Sequence, residues 1–146
     1  MAQKFLQISS IHAEAYACAE FRHGPLSMID DEERTPGKLF DPDIYVVVFI
    51  VLDDEHKSQI ISNIHQVKER GATTIILTNI TDIGSLIDTE KLDYVVNIPS
   101  SKNEVLAALQ AIIPLQVICY LTAIERGFDP DKQLFQAIDF AKSMDC

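Results

Sequence analysis

The sequence predicts an α/β fold, a three-layer α/β/α sandwich built on a parallel sheet. Three observations carry this. YVVVFIVL (45–52) is a continuous β-branched and apolar run, as expected of a parallel strand buried on both faces. The stretch that follows, DDEHKSQIISNIHQVKERG, places Ile60, Ile61, Ile64 and Val67 at helical spacing. TTIILT (73–78) and DYVVNIP (93–99) then read as further strands, and a long apolar helix pattern follows them. Parallel strands need crossover connections, and alternating helices supply them while covering the two faces of the sheet.

The elements follow in order. Ala2 to Ser9 forms a short helical piece, and HAEAYA (12–17) alternates well enough to be a first strand. DDEERTPGKLFDPD (30–43) is polar and carries Pro and Gly, so it reads as an exposed loop. A strand near 44–52 leads into a helix with Asp53 and Asp54 at its start, Lys68 and Arg70 at its end, and Gly71 as its stop. After strands at 73–78 and 93–98, Ser101 and Glu104 have the spacing of a capping box for a helix over 102–126. That helix is expected to pack on the sheet through Val105, Leu109, Ile112, Ile113 and Leu121, and Gly127 with DPD (129–131) closes it. The chain reads as one domain, 1–146. It starts inside a helix that leads straight into a strand, without the usual opening strand. One sheet edge would then lie uncovered, so an upstream segment or a partner chain is expected beside it.

Composition excludes several classes of function. The net charge of −10 argues against nucleic acid, whose phosphates need clustered Lys and Arg. No uninterrupted apolar run approaches about 18 residues, so no membrane span is expected. MAQKFLQISS lacks the layout of a signal peptide. Cys18, Cys119 and Cys146 are odd in number and widely spaced, which fits neither a disulfide framework nor a metal site. The chain therefore reads as cytoplasmic, with reduced thiols. No dinucleotide fingerprint, P-loop, zinc-protease motif or nucleophile elbow is present, so no cofactor or metal is expected.

In sheets of this type ligands bind beyond the carboxyl ends of the strands. The turn after HAEAYA delivers Glu20, Arg22 and His23 to such a place, and imidazole suits acid/base work near neutrality. Ser100-Ser101 and Thr78-Asn79 also follow strands and could donate to phosphate oxygens, although capping and turn formation explain both. Asp53-Asp54 has the composition of a metal site, but complementing a helix N-terminus accounts for it. His56 and His65 fall on the polar side of their helix.

ISSIHAEAYACAEFRHGPLSMID resembles the second sugar-isomerase (SIS) domain of glutamine–fructose-6-phosphate aminotransferases, a flavodoxin-like fold. The resemblance continues through VKERGATTIILT and IIPLQVICYLTAIERGFDPDK to AKS (141–143). The family makes glucosamine 6-phosphate from fructose 6-phosphate, using ammonia that a separate glutaminase domain releases from glutamine. Its isomerase half has two SIS domains in tandem.

The resemblance implies roles for four positions. Lys4 matches an active-site lysine. His23 matches the histidine that opens the sugar ring, supplied to the neighbouring subunit's site. Lys142 matches the C-terminal lysine that forms a Schiff base with the keto sugar, a role open to an amine nucleophile. Gln7 stands where the family has the glutamate that moves a proton between C1 and C2, and a neutral amide cannot serve as that base.

Loop 30–43 is longer than the family's, and KQLFQAIDFAKS replaces a shorter tail that contains Pro and Arg. The phosphate-binding Ser/Thr loop of the family belongs to the first SIS domain, which this sequence does not contain. The resemblance thus implies a phosphosugar substrate and a partner. That partner is either a second copy or a chain carrying a first SIS and a glutaminase domain. Two functions stay open: a contributor to isomerisation that is inactive alone, and a non-catalytic SIS module that binds a sugar phosphate or a partner chain.

Overall fold

A computed structural model describes residues 1–29, 45–87, 93–101 and 103–131, with Glu104 placed by its backbone alone. The loop expected at 30–43 and Lys142 lie outside the described residues. The chain divides into two compact units, one of residues 16–111 and one of residues 1–15 with 112 onward.

In the unit of residues 16–111, strands β1 (Val46–Val51), β2 (Thr73–Thr78) and β3 (Tyr94–Asn97) form a parallel sheet in the order β1-β2-β3. Val46 pairs with Thr73 and Val51 with Thr78 across the first ladder, and Ile75 with Tyr94 across the second. Between the first two strands runs helix α3 (Lys57–Glu69). Its Ile64 and Val67 meet Phe49, Val51 and Ile76 from one sheet face, and Leu26 and Ile29 close the same core. Val51, Ile64, Val67 and Ile76 are fully buried, and each contributes about 1.5–3 kcal/mol by leaving water.

The other face of β1 is open: Val46 is 55% and Ile50 39% exposed. The expectation of a strand buried on both faces therefore holds for one face only. A continuous apolar run tells how many faces can be buried, whereas the covering element decides how many are.

α3 begins at Lys57, later than the Asp pair. Asp54 accepts the His56 amide at 2.8 Å, and Asp53 pairs with Lys57 at 2.6 Å one turn on. Gly71, at φ 82°, ends the helix in the left-handed region as expected. Arg70 reaches back to the carbonyls of Leu26 and Ile29 at 3.1 and 3.0 Å, which ties helix α2 (Pro25–Met28) to the end of α3.

No strand forms at 12–17, where residues 11–17 carry no regular structure. Helix α1 (Ala2–Ser9) ends at Ser10 in the left-handed conformation, φ 52°. The alternation in HAEAYA is built on alanines, which bury too little area to hold a strand against its lost entropy. The sheet thus has three strands among the described residues.

Helix α4 (Glu104–Glu125) runs through both units. Its cap is Asn103, whose Oδ1 accepts the Leu106 amide at 3.1 Å. Ser101 stands outside the helix and bonds Asn103 itself, so the Ser101–Glu104 capping box is not the start of the helix. The buried side of α4 is the row Ala107, Ala111, Leu115, Cys119 and Ala123. Val105, Leu109, Ile113 and Leu121, expected to pack on the sheet, are exposed, and Ile112 is half-buried. A helix apolar all round has no single core face to read from periodicity.

The same helix, over Val105–Glu125, is long and apolar enough to cross a membrane by length and composition alone. A core helix of a soluble protein passes the same test, and the sequence reading takes the shorter run Ile44 to Leu52 as its longest apolar candidate.

In the other unit, Ser9 of α1 and Cys119 of α4 are both buried and hydrogen-bonded. Ser9 Oγ also donates to the Phe5 carbonyl at 2.6 Å. Burial raises the pKa of Cys119 against the opposing pull of Ser9 and Lys4.

Candidate functional site

The motif-bearing stretch folds as a short 3₁₀ turn, Glu20–His23, followed by Gly24 and Pro25. Gly24 takes φ 158° with ψ −58°, a combination open to glycine, and Pro25 starts α2 at the position where its missing amide costs nothing. Phe21 anchors the turn by meeting Phe49 edge-on, with ring centroids 6.1 Å apart.

Arg22 fixes the turn from the next position. Its Nε donates to Asn63 Oδ1 at 2.5 Å and its Nη2 to Ser62 Oγ at 2.8 Å. Asn63, fully buried, donates onward to the Cys18 carbonyl at 2.9 Å and to Cys18 Sγ at 3.0 Å. Burial raises the pKa of Cys18, with Arg22 and Asn63 pulling the other way, so this residue is held as a thiol. Arg22, which the sequence reading places with Glu20 and His23 beyond the strand ends, is thus engaged in holding the turn to α3. His23 stands exposed at its end.

Sequence reasoning did not find Asn63. Its signal was a polar residue in phase with Ile60, Ile64 and Val67, on the side of α3 that faces the core.

The carboxyl ends of the three strands line a cleft of about 590 Å³. Asp53, Asp54, Glu55 and His56 come from the turn after β1, Asn79 from the end of β2, and Ser100 and Ser101 from the end of β3. Asn79 Oδ1 accepts the Asp53 amide at 2.8 Å and ties the first two turns together. Ser100 and Ser101, which by sequence could donate to phosphate oxygens or simply form the turn, share this cleft with three carboxylates. One of the three, Asp53, is paired with Lys57 at 2.6 Å. Among the described residues no three His, Cys, Asp or Glu side chains stand together as metal ligands.

Lys4 and Gln7 lie one turn apart on the same face of α1, and both are exposed. They belong to the unit of residues 1–15 with 112 onward, whereas His23 belongs to the unit of residues 16–111.

No family model matches the chain. Curated relatives do. It is 35% identical over 132 residues to a glutamine–fructose-6-phosphate aminotransferase (isomerizing) of Pyrobaculum aerophilum, covering 90% of this chain and 19% of that protein. It is 34% identical over 134 residues to the enzyme of the same name from Methanothermobacter thermautotrophicus, with 90% and 20% covered. The chain thus spans about a fifth of the length of the relatives it matches. Among solved structures, the C-terminal domain of glucosamine-fructose-6-phosphate aminotransferase from Francisella tularensis superposes with a TM-score of 0.71 at 29% identity, over 88% of this chain and 32% of that one. The resemblance read from the sequence and the α/β fold are both borne out, and the chain is homologous to the C-terminal SIS domain of these aminotransferases.

Proposed function

We propose that this chain, a homologue of the C-terminal SIS domain of glutamine–fructose-6-phosphate aminotransferases, contributes part of a phosphosugar site in glucosamine 6-phosphate synthesis. The single observation that carries the reading is the anchored turn. Phe21 and Arg22 fix the backbone just before the position, and His23 stands exposed at the end of the turn. A ring-opening histidine needs that combination of fixed backbone and free imidazole.

The remaining parts of the site are expected from elsewhere. The cleft at the strand ends is acidic, so the phosphate grip comes from another domain. Lys4 would contact the sugar from α1, and Lys142 would supply the Schiff-base amine. The partner is a neighbouring chain, either a second copy or a chain that carries a first SIS and a glutaminase domain.

Gln7 favours the second reading, a non-catalytic module that binds a carbohydrate derivative or a partner. An exposed amide at this place on α1 hydrogen-bonds a sugar hydroxyl but takes no proton from carbon. Calorimetric titration with fructose 6-phosphate and glucosamine 6-phosphate tests both readings. Neither sugar is expected to bind the chain alone with micromolar affinity. Tight binding by the isolated chain, retained in His23→Ala, would overturn the shared-site reading.

A further inference from the structure

His23 lies between two polar contacts that a single helix, α3, makes with its segment, all inside the unit of residues 16–111. Upstream, Asn63 Nδ2 donates to the Cys18 carbonyl and thiol at 2.9 and 3.0 Å, while Asn63 Oδ1 accepts from Arg22, the residue just before His23, at 2.5 Å. Downstream, Arg70 Nη1 donates to the carbonyls of Leu26 and Ile29 at 3.1 and 3.0 Å. Asn63 and Arg70 stand seven positions apart, about two turns, and so share one side of α3. Ile64 and Val67, between them in sequence, bury the helix against the sheet, so α3 holds its place by apolar packing independently of either contact.

The residue types suit gripping. The fully buried Asn63 amide accepts through one atom and donates through the other. A carboxylate of the same shape keeps the acceptor and loses the donor, an aliphatic side chain loses both, and water does not readily replace a partner lost there. Between the two contacts the backbone is free to move, because Gly24 follows His23 directly and adopts φ 158° with ψ −58°, a combination open to glycine. A glycine beside the imidazole gives the chain freedom that only contacts on both sides take away.

We propose that Asn63 and Arg70 are positioning residues for His23, two clamps on one rigid helix that fix the backbone before and after it and leave its imidazole exposed. The proposal rests on the reading of His23 as the residue that opens the sugar ring, and adds what places it. Proton transfer needs the imidazole within hydrogen-bond reach of the proton it moves, and a displacement of about 1 Å costs on the order of 100-fold in rate.

Relaxation of ¹⁵N at the His23 amide tests it, in the unmodified chain and in Asn63→Ala, Arg70→Met and Asp93→Asn. The last is the control, since Asp93 joins Lys68 of α3 to Thr74 of β2 without touching the segment that carries His23. The order parameter is expected near ~0.85 in the unmodified chain and in the control, and at about 0.6 or below in the two clamp variants. Should Asn63→Ala fail to fold, Arg22→Ala opens the same clamp from its exposed side. The second readout is kinetic, with Gln7→Glu as the parent, mixed with a separately produced first SIS domain and supplied with fructose 6-phosphate. Adding Asn63→Ala or Arg70→Met should lower kcat by about tenfold or more with KM within about twofold, and Arg70→Lys, which keeps donors, should recover most of the loss. Unchanged order at His23 in both clamp variants would overturn the proposal. An equal fall in Asp93→Asn, or full kcat in a variant whose His23 is mobile, would do the same. A parent mixture without turnover would fail the ring-opening reading instead, and the order parameters then decide the proposal by themselves.

Discussion

Arg22 and Asn63, 41 positions apart in sequence, meet side chain to side chain at 2.5 Å. The buried amide passes the connection on to the carbonyl and thiol of Cys18, so one residue of α3 holds both ends of the motif-bearing turn. Asn63→Ala leaves the Cys18 carbonyl and the Arg22 guanidinium without this partner. It should cost about 1–3 kcal/mol, whereas Arg22→Ala, at a more exposed position, should cost ~1 kcal/mol. Urea unfolding of the two variants checks the order, and equal costs would count against the clamp.

Asp93 links α3 to β2. Burial works against its charge, but Lys68 Nζ at 2.8 Å and the amide and hydroxyl of Thr74, at 2.6 and 3.0 Å, outweigh it and hold its pKa below the ordinary carboxylate value. A carboxylate whose pKa falls on folding stabilises the fold fully above its unfolded pKa, ordinarily about 3.9, and this is lost as pH falls through the folded value. Asp93→Asn should therefore lower stability by roughly 1–2 kcal/mol at pH 7, discounted for the pair's partial exposure, and by much less near pH 2. Thermal melts at both pH values show whether the difference closes.

The buried row of α4 makes a prediction about size. Ala111 and Ala123 are fully buried, so Ala111→Leu or Ala123→Leu should overpack and destabilise by about 1–3 kcal/mol. Retention of full stability in both would mean that the small row is not closely packed.

Ser10 ends α1 at φ 52°, a conformation that costs a side-chain-bearing residue energy and glycine little. Ser10→Gly should leave stability unchanged or raise it by up to ~1 kcal/mol, and Ser10→Val should lower it. Differential scanning calorimetry resolves the sign.

Much of the fold was legible. Strands at 46–51, 73–78 and 94–97 and helix α3 between the first two follow from β-branched runs and a 3.6-residue period. The failures have physical causes. HAEAYA has the right alternation with side chains too small to hold a strand, and α4 is apolar on opposite sides, so its pattern cannot say which side turns inward. Asn103 displaced Ser101 as cap because both are capping residues and the chain geometry chose the nearer one. At the site, the roles proposed for Lys4, Gln7, His23 and Lys142 rest on family resemblance alone. The Arg22–Asn63 clamp depends on a distant partner that no local pattern announces.

The central claim is that this chain supplies part of a phosphosugar site and lacks its base. The most direct measurement is the isomerisation of fructose 6-phosphate by the unmodified chain and by Gln7→Glu, each alone and each mixed with a separately produced first SIS domain. No turnover is expected from either form alone, nor from the unmodified chain with the partner. Turnover is expected from Gln7→Glu with the partner, since glutamate restores the proton acceptor and the partner supplies the phosphate grip. Turnover by the unmodified chain alone would contradict the account and would place a complete site, with a different base, inside these 146 residues.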